Sequence, residues 1–123
     1  MSKRGSAETG AKGEHLAAVY YQRRGCEILD TNYRTRMGEL DLVVMDHGTL
    51  VFSEVKTRSE NTIATPAESV TKQKRRRLIL TAQHYLMTHT AYADLVMRFD
   101  VVEVILPREG LPRLHCIENA FTL

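Results

Sequence analysis

Tryptophan is absent from this sequence of 123 residues, phenylalanine and proline occur three times each, and cysteine twice. Because the prolines are confined to Pro66, Pro107 and Pro112, none interrupts the periodic segments before position 65 or between 67 and 106. Cys26 and Cys116 stand far apart, fit no metal-ligand spacing and sit in apolar, strand-like runs. That excludes a disulfide framework and a thiolate metal site, and leaves two reduced core residues. No apolar run approaches the roughly 20 residues of a membrane helix, and Met1 to Glu14 lacks the apolar centre of a secretory signal. The expectation is a soluble, cytoplasmic protein with no membrane partner. A strong excess of one charge is also missing: 17 Lys and Arg face 15 Asp and Glu, a net charge of +2. Bulk electrostatics therefore dictates no partner, and the distribution of charge has to be read instead.

What is present suits one compact domain, at 43% hydrophobic residues. Residues 1–12, polar and aperiodic, are expected to be a disordered leader, with a single domain over 13–123. From Gly13 to Arg24, Leu16, Val19, Tyr20 and Arg23 fall at helical spacing, and Gly25 stands where a helix C-terminal glycine belongs. Cys26 to Tyr33 reads as a strand and Thr35 to Gly38 as a turn. Gly38–Met45 and Leu50–Thr57 alternate as two strands around Asp46-His47-Gly48-Thr49, a hairpin turn in which Gly48 supplies a positive φ. Thr65, Pro66 and Glu68 offer an N-cap, a first-turn proline and an N3 acid, and Val70, Lys74, Leu78, Ala82 and Leu86 form one stripe of a helix running to about His89. Met97–Leu106 and Arg113–Ile117 supply two more strands. The order αβββαββ predicts an α/β fold with a mixed central sheet flanked by helices.

Register exposes the chemistry. With His47 and Gly48 as the two turn residues, Asp41 faces Glu54 and Glu39 faces Lys56, and alternation puts all four on one face. The same face continues as Val43, Met45, Leu50 and Phe52, and the other shows Leu40, Leu42, Val44, Val51 and Val55, so both faces are covered. Opposed Cβ atoms lie about 4.5–5.5 Å apart, where facing carboxylates repel. Acids at the edge of a buried surface need a proton, a cationic side chain or a metal, and Lys56 balances only part of the charge. Hard oxygen donors suit Mg²⁺ or Mn²⁺ rather than zinc.

Asp41 followed by Glu54-Val55-Lys56 resembles the Asp…Glu-x-Lys signature of the PD-(D/E)xK nucleases. Gly13-Glu14, Asn32-Tyr33-Arg34, Gly38-Glu39-Leu40-Asp41-Leu42, Val51 to Arg58, Arg98-Phe99-Asp100-Val101-Val102 and Asn119-Ala120-Phe121 together resemble the YraN family, across nearly all of 13–123. The resemblance implies a restriction-endonuclease-like fold, similarity to archaeal Holliday junction resolvases, and a metal-dependent endonuclease acting on DNA, branched or junction DNA included. It places Glu14, Asp41, Glu54 and Lys56 at catalytic positions, with Leu40 where the name-giving proline would stand. Asp41 and Glu54, helped by the Val55 carbonyl and by Glu14 directly or through water, would hold the metal, and Lys56 would position or deprotonate the attacking water.

Blander readings stand beside these. Glu14 near a helix start is ordinarily a dipole-favoured surface acid, and Glu39 opposite Lys56 is equally a cross-strand ion pair, which leaves Glu39 as a secondary site. The run Lys72, Lys74, Arg75, Arg76, Arg77 is by default a solvated helix face, yet its density without acids suits a polyanion, with Arg58 as a further contact. His84, His89 and His115 share no ligand spacing and receive no role. The competing function is a non-catalytic DNA-binding or interaction module that keeps the fold; RNA is a further substrate such a fold could take. A homodimer is expected if junctions are cut symmetrically.

Overall fold

The computed structural model describes residues 3–60 and 70–121, with side chains from residue 9 onward in the first helix. Helix α1 (Lys3–Arg23) is followed by strands β1 (Glu27–Arg34), β2 (Glu39–Asp46) and β3 (Thr49–Ser59), helix α2 (Lys72–Thr88), a short 3-10 turn (Thr90–Tyr92), and strands β4 (Val96–Leu106) and β5 (Arg113–Phe121). The predicted order is thus observed, with the 3-10 turn added. One expectation is corrected: residues 3–12 are helical rather than a disordered leader. No proline interrupts them, and Ala7, Glu8, Ala11 and Lys12 are good helix formers, so the helix continues upstream.

The five strands lie in chain order β1-β2-β3-β4-β5. All neighbours are antiparallel except β3 and β4, which run parallel and are joined through α2. The β2–β3 hairpin has the predicted register, from Asp46↔Thr49 to Leu42↔Ser53. His47 (φ 48°) and Gly48 (φ 93°) both take the left-handed conformation, which matches the twist of the strands.

Each face of the sheet is covered by one helix. Ala17 and Tyr21 of α1 pack on Leu42, Val44, Val51, Val102 and Val104. On the other face Leu78, Ala82 and Tyr85 of α2 pack on Val43, Leu50, Phe52, Phe99 and Val101. Complete burial of one such large apolar side chain stabilises by roughly 1.5–3 kcal/mol. Helix α2 starts at Lys72, where the Thr71 Oγ1 accepts from the Lys74 N–H at 3.2 Å; the expected start at Thr65, Pro66 and Glu68 lies outside the described residues. Strand β5 runs beyond the predicted Ile117 because a register shift opposite Phe99–Val101 and the positive φ of Asn119 (51°) carry it through a bulge. Phe121 then stacks on Phe99 at 4.7 Å, so the end of β5 serves core packing. Among the described residues no helix is long and apolar enough to cross a membrane.

Candidate metal centre

The site begins where a ladder ends. Beyond Leu42↔Ser53 the next interstrand bond is made by a side chain: Asp41 Oδ2 accepts the Val55 N–H at 2.8 Å. Alternation breaks at the same point. Leu40 joins the α2-side core with Val43 and Phe52, whereas Leu42 and Val44 pack on the α1 side. The expectation that Leu40 shares a face with Leu42 and Val44 is therefore corrected: β2 rolls at Asp41, where a carboxylate stands in for the backbone carbonyl. The N–H and C=O of one strand residue point to the same edge, so the Val55 carbonyl also faces this fork.

Three elements deliver acids to it. Glu14 comes from α1, and Gly13 makes that approach possible, because a Cβ there would collide with the Thr57 side chain of β3. Carboxylate oxygens of Glu14, Glu39 and Asp41 all lie within 4.8 Å of one another. Burial raises the Glu14 carboxyl, a hydrogen bond with Asn32 opposes this, and Glu39 adds to the rise. Burial, then the charge of Glu54, pushes Asp41 up to about 8. Glu54, 8% exposed, is held through one oxygen by Lys74 Nζ at 2.8 Å and Lys56 Nζ at 3.3 Å. Burial lowers the Lys56 pKa, and the neighbouring Lys74 lowers it further. For Lys74 burial acts downward too, but its hydrogen bonds with Glu54 and Lys56 prevail and raise it.

The expected Glu39–Lys56 ion pair does not form. Lys56 turns to the buried Glu54, while Glu39 pairs with Arg34 at 3.4 Å, its registered neighbour on β1. Glu39 thus stands in one carboxylate group with Glu14 and Asp41. Glu54 stands beside the triad, hydrogen-bonded to Asp41.

A cleft of about 510 Å³ opens beside these groups, bounded by Glu39, Asp41 and Glu54 on the sheet, by Thr71 at the N-cap of α2 and by Lys74 and Arg77 on α2. The basic run is divided by helix geometry. Lys74 and Arg77 line the cleft, while the exposed Lys72 and Arg76 lie outside the lining. Arg75 turns away, donating from Nε to the Val70 carbonyl at 3.1 Å with its guanidinium over Phe121. Arg58 is a further correction. It pairs with Glu103 at 3.1 Å and its side chain is only 9% exposed, because a buried carboxylate on β4 requires a cation; it is closed to a polyanion. His84 bonds the Tyr33 hydroxyl at 2.6 Å and His89 stacks on Tyr85, so both pack.

Two things escaped the sequence reading. Lys74 as the partner of Glu54 had a signal: it is a cation on the buried stripe of α2, between Val70 and Leu78. A second buried polar cluster had none. The Tyr21 hydroxyl lies 2.9 Å from Ser53 Oγ and 2.9 Å from Asp100 Oδ2; with a single proton it donates to the carboxylate and accepts from Ser53. Asp100 also accepts from Arg98 Nε at 2.9 Å and the Asn119 N–H at 3.0 Å. Arg98 in turn reaches Asp46 at 2.8 Å.

The side-chain donors of the triad are carboxylate oxygens, Glu14 from α1 and Glu39 and Asp41 from β2, and among the described residues Arg34 is the cation in an ion pair with it. Such a set fits a hard divalent cation. Fold and site together define a small mixed α/β protein with a carboxylate–lysine cluster at a fork in its sheet. The chain belongs to the family described as uncharacterised protein family UPF0102, whose model matches residues 13–104. It is 42% identical over 113 residues to a UPF0102 protein of Alkaliphilus oremlandii, covering 91% of this chain and 96% of that one. A UPF0102 protein of Pelotomaculum thermopropionicum is 44% identical over 113 residues (91% and 93%), and one of Pseudomonas aeruginosa 40% over 117 (94% and 94%).

Proposed function

We propose that this protein is a metal-dependent endonuclease of the PD-(D/E)xK type, with a restriction-endonuclease-like fold, that hydrolyses phosphodiester bonds in DNA. The observation that carries the reading is the convergence of Glu14 from α1 with Glu39 and Asp41 from β2, next to the Glu54–Lys56–Lys74 cluster, beside an open cleft that Glu39, Asp41, Glu54 and Lys74 line. A cluster of that composition weakens the fold and strengthens phosphate chemistry. Asp41, Glu14 and Glu39 would hold Mg²⁺ or Mn²⁺, with Glu54 and the Val55 carbonyl beside them. Bound there, the ion would polarise the phosphate and neutralise charge on the leaving 3′ oxygen.

The remaining work falls to the chain's own groups. Glu54 fixes the Lys56 ammonium at the fork, and burial beside Lys74 eases loss of its proton. Lys56 Nζ therefore orients the attacking water and takes its proton. Lys74 and Arg77 face the cleft from α2 and contact substrate phosphates without reading sequence. Branched DNA is the substrate favoured by the likeness to junction resolvases, and two symmetric cuts in a four-way junction require a two-fold dimer.

The test is cleavage of labelled linear duplex, single-stranded, flapped and four-way DNA, with an RNA duplex alongside, in Mg²⁺ or Mn²⁺. Wild type should cut at least one of them, and only with metal. Glu54→Ala should lose both metal binding and cleavage, and Lys56→Ala should lose cleavage while retaining metal binding. Normal cleavage by Lys56→Ala would refute its role; binding without cleavage on every substrate would leave a DNA-binding module.

A further inference from the structure

A second cleft, of about 320 Å³, lies between α1 and the β4–β5 end of the sheet and shares no lining residue with the first. Its floor is apolar: Leu16 and Val19 from α1 face Val104 and Leu114. Three guanidinium groups stand around it, those of Arg23, Arg24 and Arg113. Their ion pairs are weak. Arg24 lies over the ring of the lining residue Tyr20 at 5.2 Å and reaches Glu118 only at 3.8 Å, and Arg113 reaches Glu60 only at 4.0 Å, with all four of these charged side chains more than half exposed. Arg23 makes no ion pair among the described residues. In the loop that leads into the cleft, next to its lining residue Pro112, Leu111 is 86% exposed. Exposed ion pairs at such distances contribute little and exchange readily, so these arginines are available to an incoming anion.

The combination selects its occupant. A nucleic acid would use the arginines but leave the aliphatic floor wet, and an uncharged apolar peptide would leave the arginines idle. A ligand that matches both carries an aliphatic or aromatic side chain flanked by carboxylates, which arginine forks bind bidentately. Extended acidic peptides present those groups together, and a cleft of this size admits one or two side chains. Charge complementarity points the same way: α1 carries no acid after Glu14 and ends in Arg23, with Arg24 directly after it. We propose that this cleft is a docking site for an acidic segment of a partner protein, anchored by one large apolar side chain in the groove and held at the rim by Arg23, Arg24 and Arg113. Since it uses no residue of the metal centre, the proposal stands apart from the nuclease reading.

Fluorescence anisotropy of the full-length protein tests it, with a labelled ten-residue peptide in which one phenylalanine is flanked on both sides by aspartates. The expected result is saturable micromolar binding, weakened at least tenfold in Arg23→Glu and in Arg113→Glu, and weakened again as salt is raised from 50 to about 300 mM. An aspartate-only peptide and one with lysines in place of the aspartates should each bind at least tenfold more weakly. Both substituted side chains are exposed, so folding is preserved and circular dichroism will verify it. Absence of binding, or binding unchanged in both charge reversals, would overturn the proposal. Equal or tighter binding of a ten-nucleotide single strand or of anionic lipid vesicles at the same arginines would overturn it as well, in favour of a general anion site. Metal binding at the fork should be unchanged in Arg23→Glu and Arg113→Glu.

Discussion

Asp100 is a fully buried carboxylate and Asp41 a partly buried one on neighbouring parts of one sheet, and their surroundings are opposite. Asp100 meets Tyr21, Arg98 and the Asn119 amide, a full set of donors on its two oxygens. Asp41 meets one backbone amide and three other acids, Glu14, Glu39 and Glu54. A buried charge with donors on every side holds a structure together, here by tying α1, β4 and the β5 bulge to one point. A buried charge among like charges does the reverse, and it persists where something from outside completes it. Burial alone does not separate a structural carboxylate from a functional one; the sign of its neighbours does.

The comparison can be broken most forcefully at Asp100. Asp100→Ala leaves the Arg98 guanidinium and the Tyr21 hydroxyl without their partner, and should destabilise by about 3–5 kcal/mol in urea unfolding. A loss below about 1 kcal/mol would mean the cluster is not structural. Next comes Gly13→Ala, which forces α1 off Thr57: overpacking of this kind costs about 1–3 kcal/mol and moves Glu14 from the triad, so Mg²⁺ affinity measured by calorimetry should fall with stability.

Asp41→Asn should act in the opposite direction. A carboxyl raised to about 8 favours the fold in its protonated form, so stability from this group is complete at acid pH and is lost as pH rises through about 8. In chelator at pH 8.5 the Asn variant should therefore be more stable than wild type, by about 1–2 kcal/mol. Adding Mg²⁺ should stabilise wild type and leave the variant unmoved; a variant less stable than wild type in chelator would place Asp41 in the same class as Asp100. The smallest effect belongs to Asp46. Hydrogen bonds from His47, then from Arg98, hold its carboxyl down at about 2, so its contribution is present above about pH 4 and lost as pH falls through about 2. Because Asp46 is partly exposed, Asp46→Asn should cost only about 1 kcal/mol at pH 6, and the two proteins should converge in urea midpoint near pH 2.

The elements were legible because their periods are clean. The β2–β3 turn and register followed from Gly48 and two alternating runs, and with them the nearness of Asp41 and Glu54. Glu14 became a site residue only through resemblance, since nothing local distinguishes it from a surface acid. Alternation failed at Asp41 because a side chain took over a backbone hydrogen bond, which no pattern of apolar residues records. The same blindness hid the destinations of long side chains: Lys56 could reach Glu39 or Glu54, Arg58 could reach solvent or Glu103, and burial decided both. Asp100 was invisible as a hub because its partners Tyr21 and Asn119 are distant in sequence and meet only when α1 and the bulge are in place.

The Val55 amide is held by a carboxylate rather than by a carbonyl, and that makes it a natural spectroscopic probe. In a ¹⁵N-labelled sample its proton resonance will move with whatever happens to the Asp41 charge, whether proton or ion. A single cross-peak on the central hairpin thus reads the occupancy of the fork directly, without substrate and without an attached reporter group.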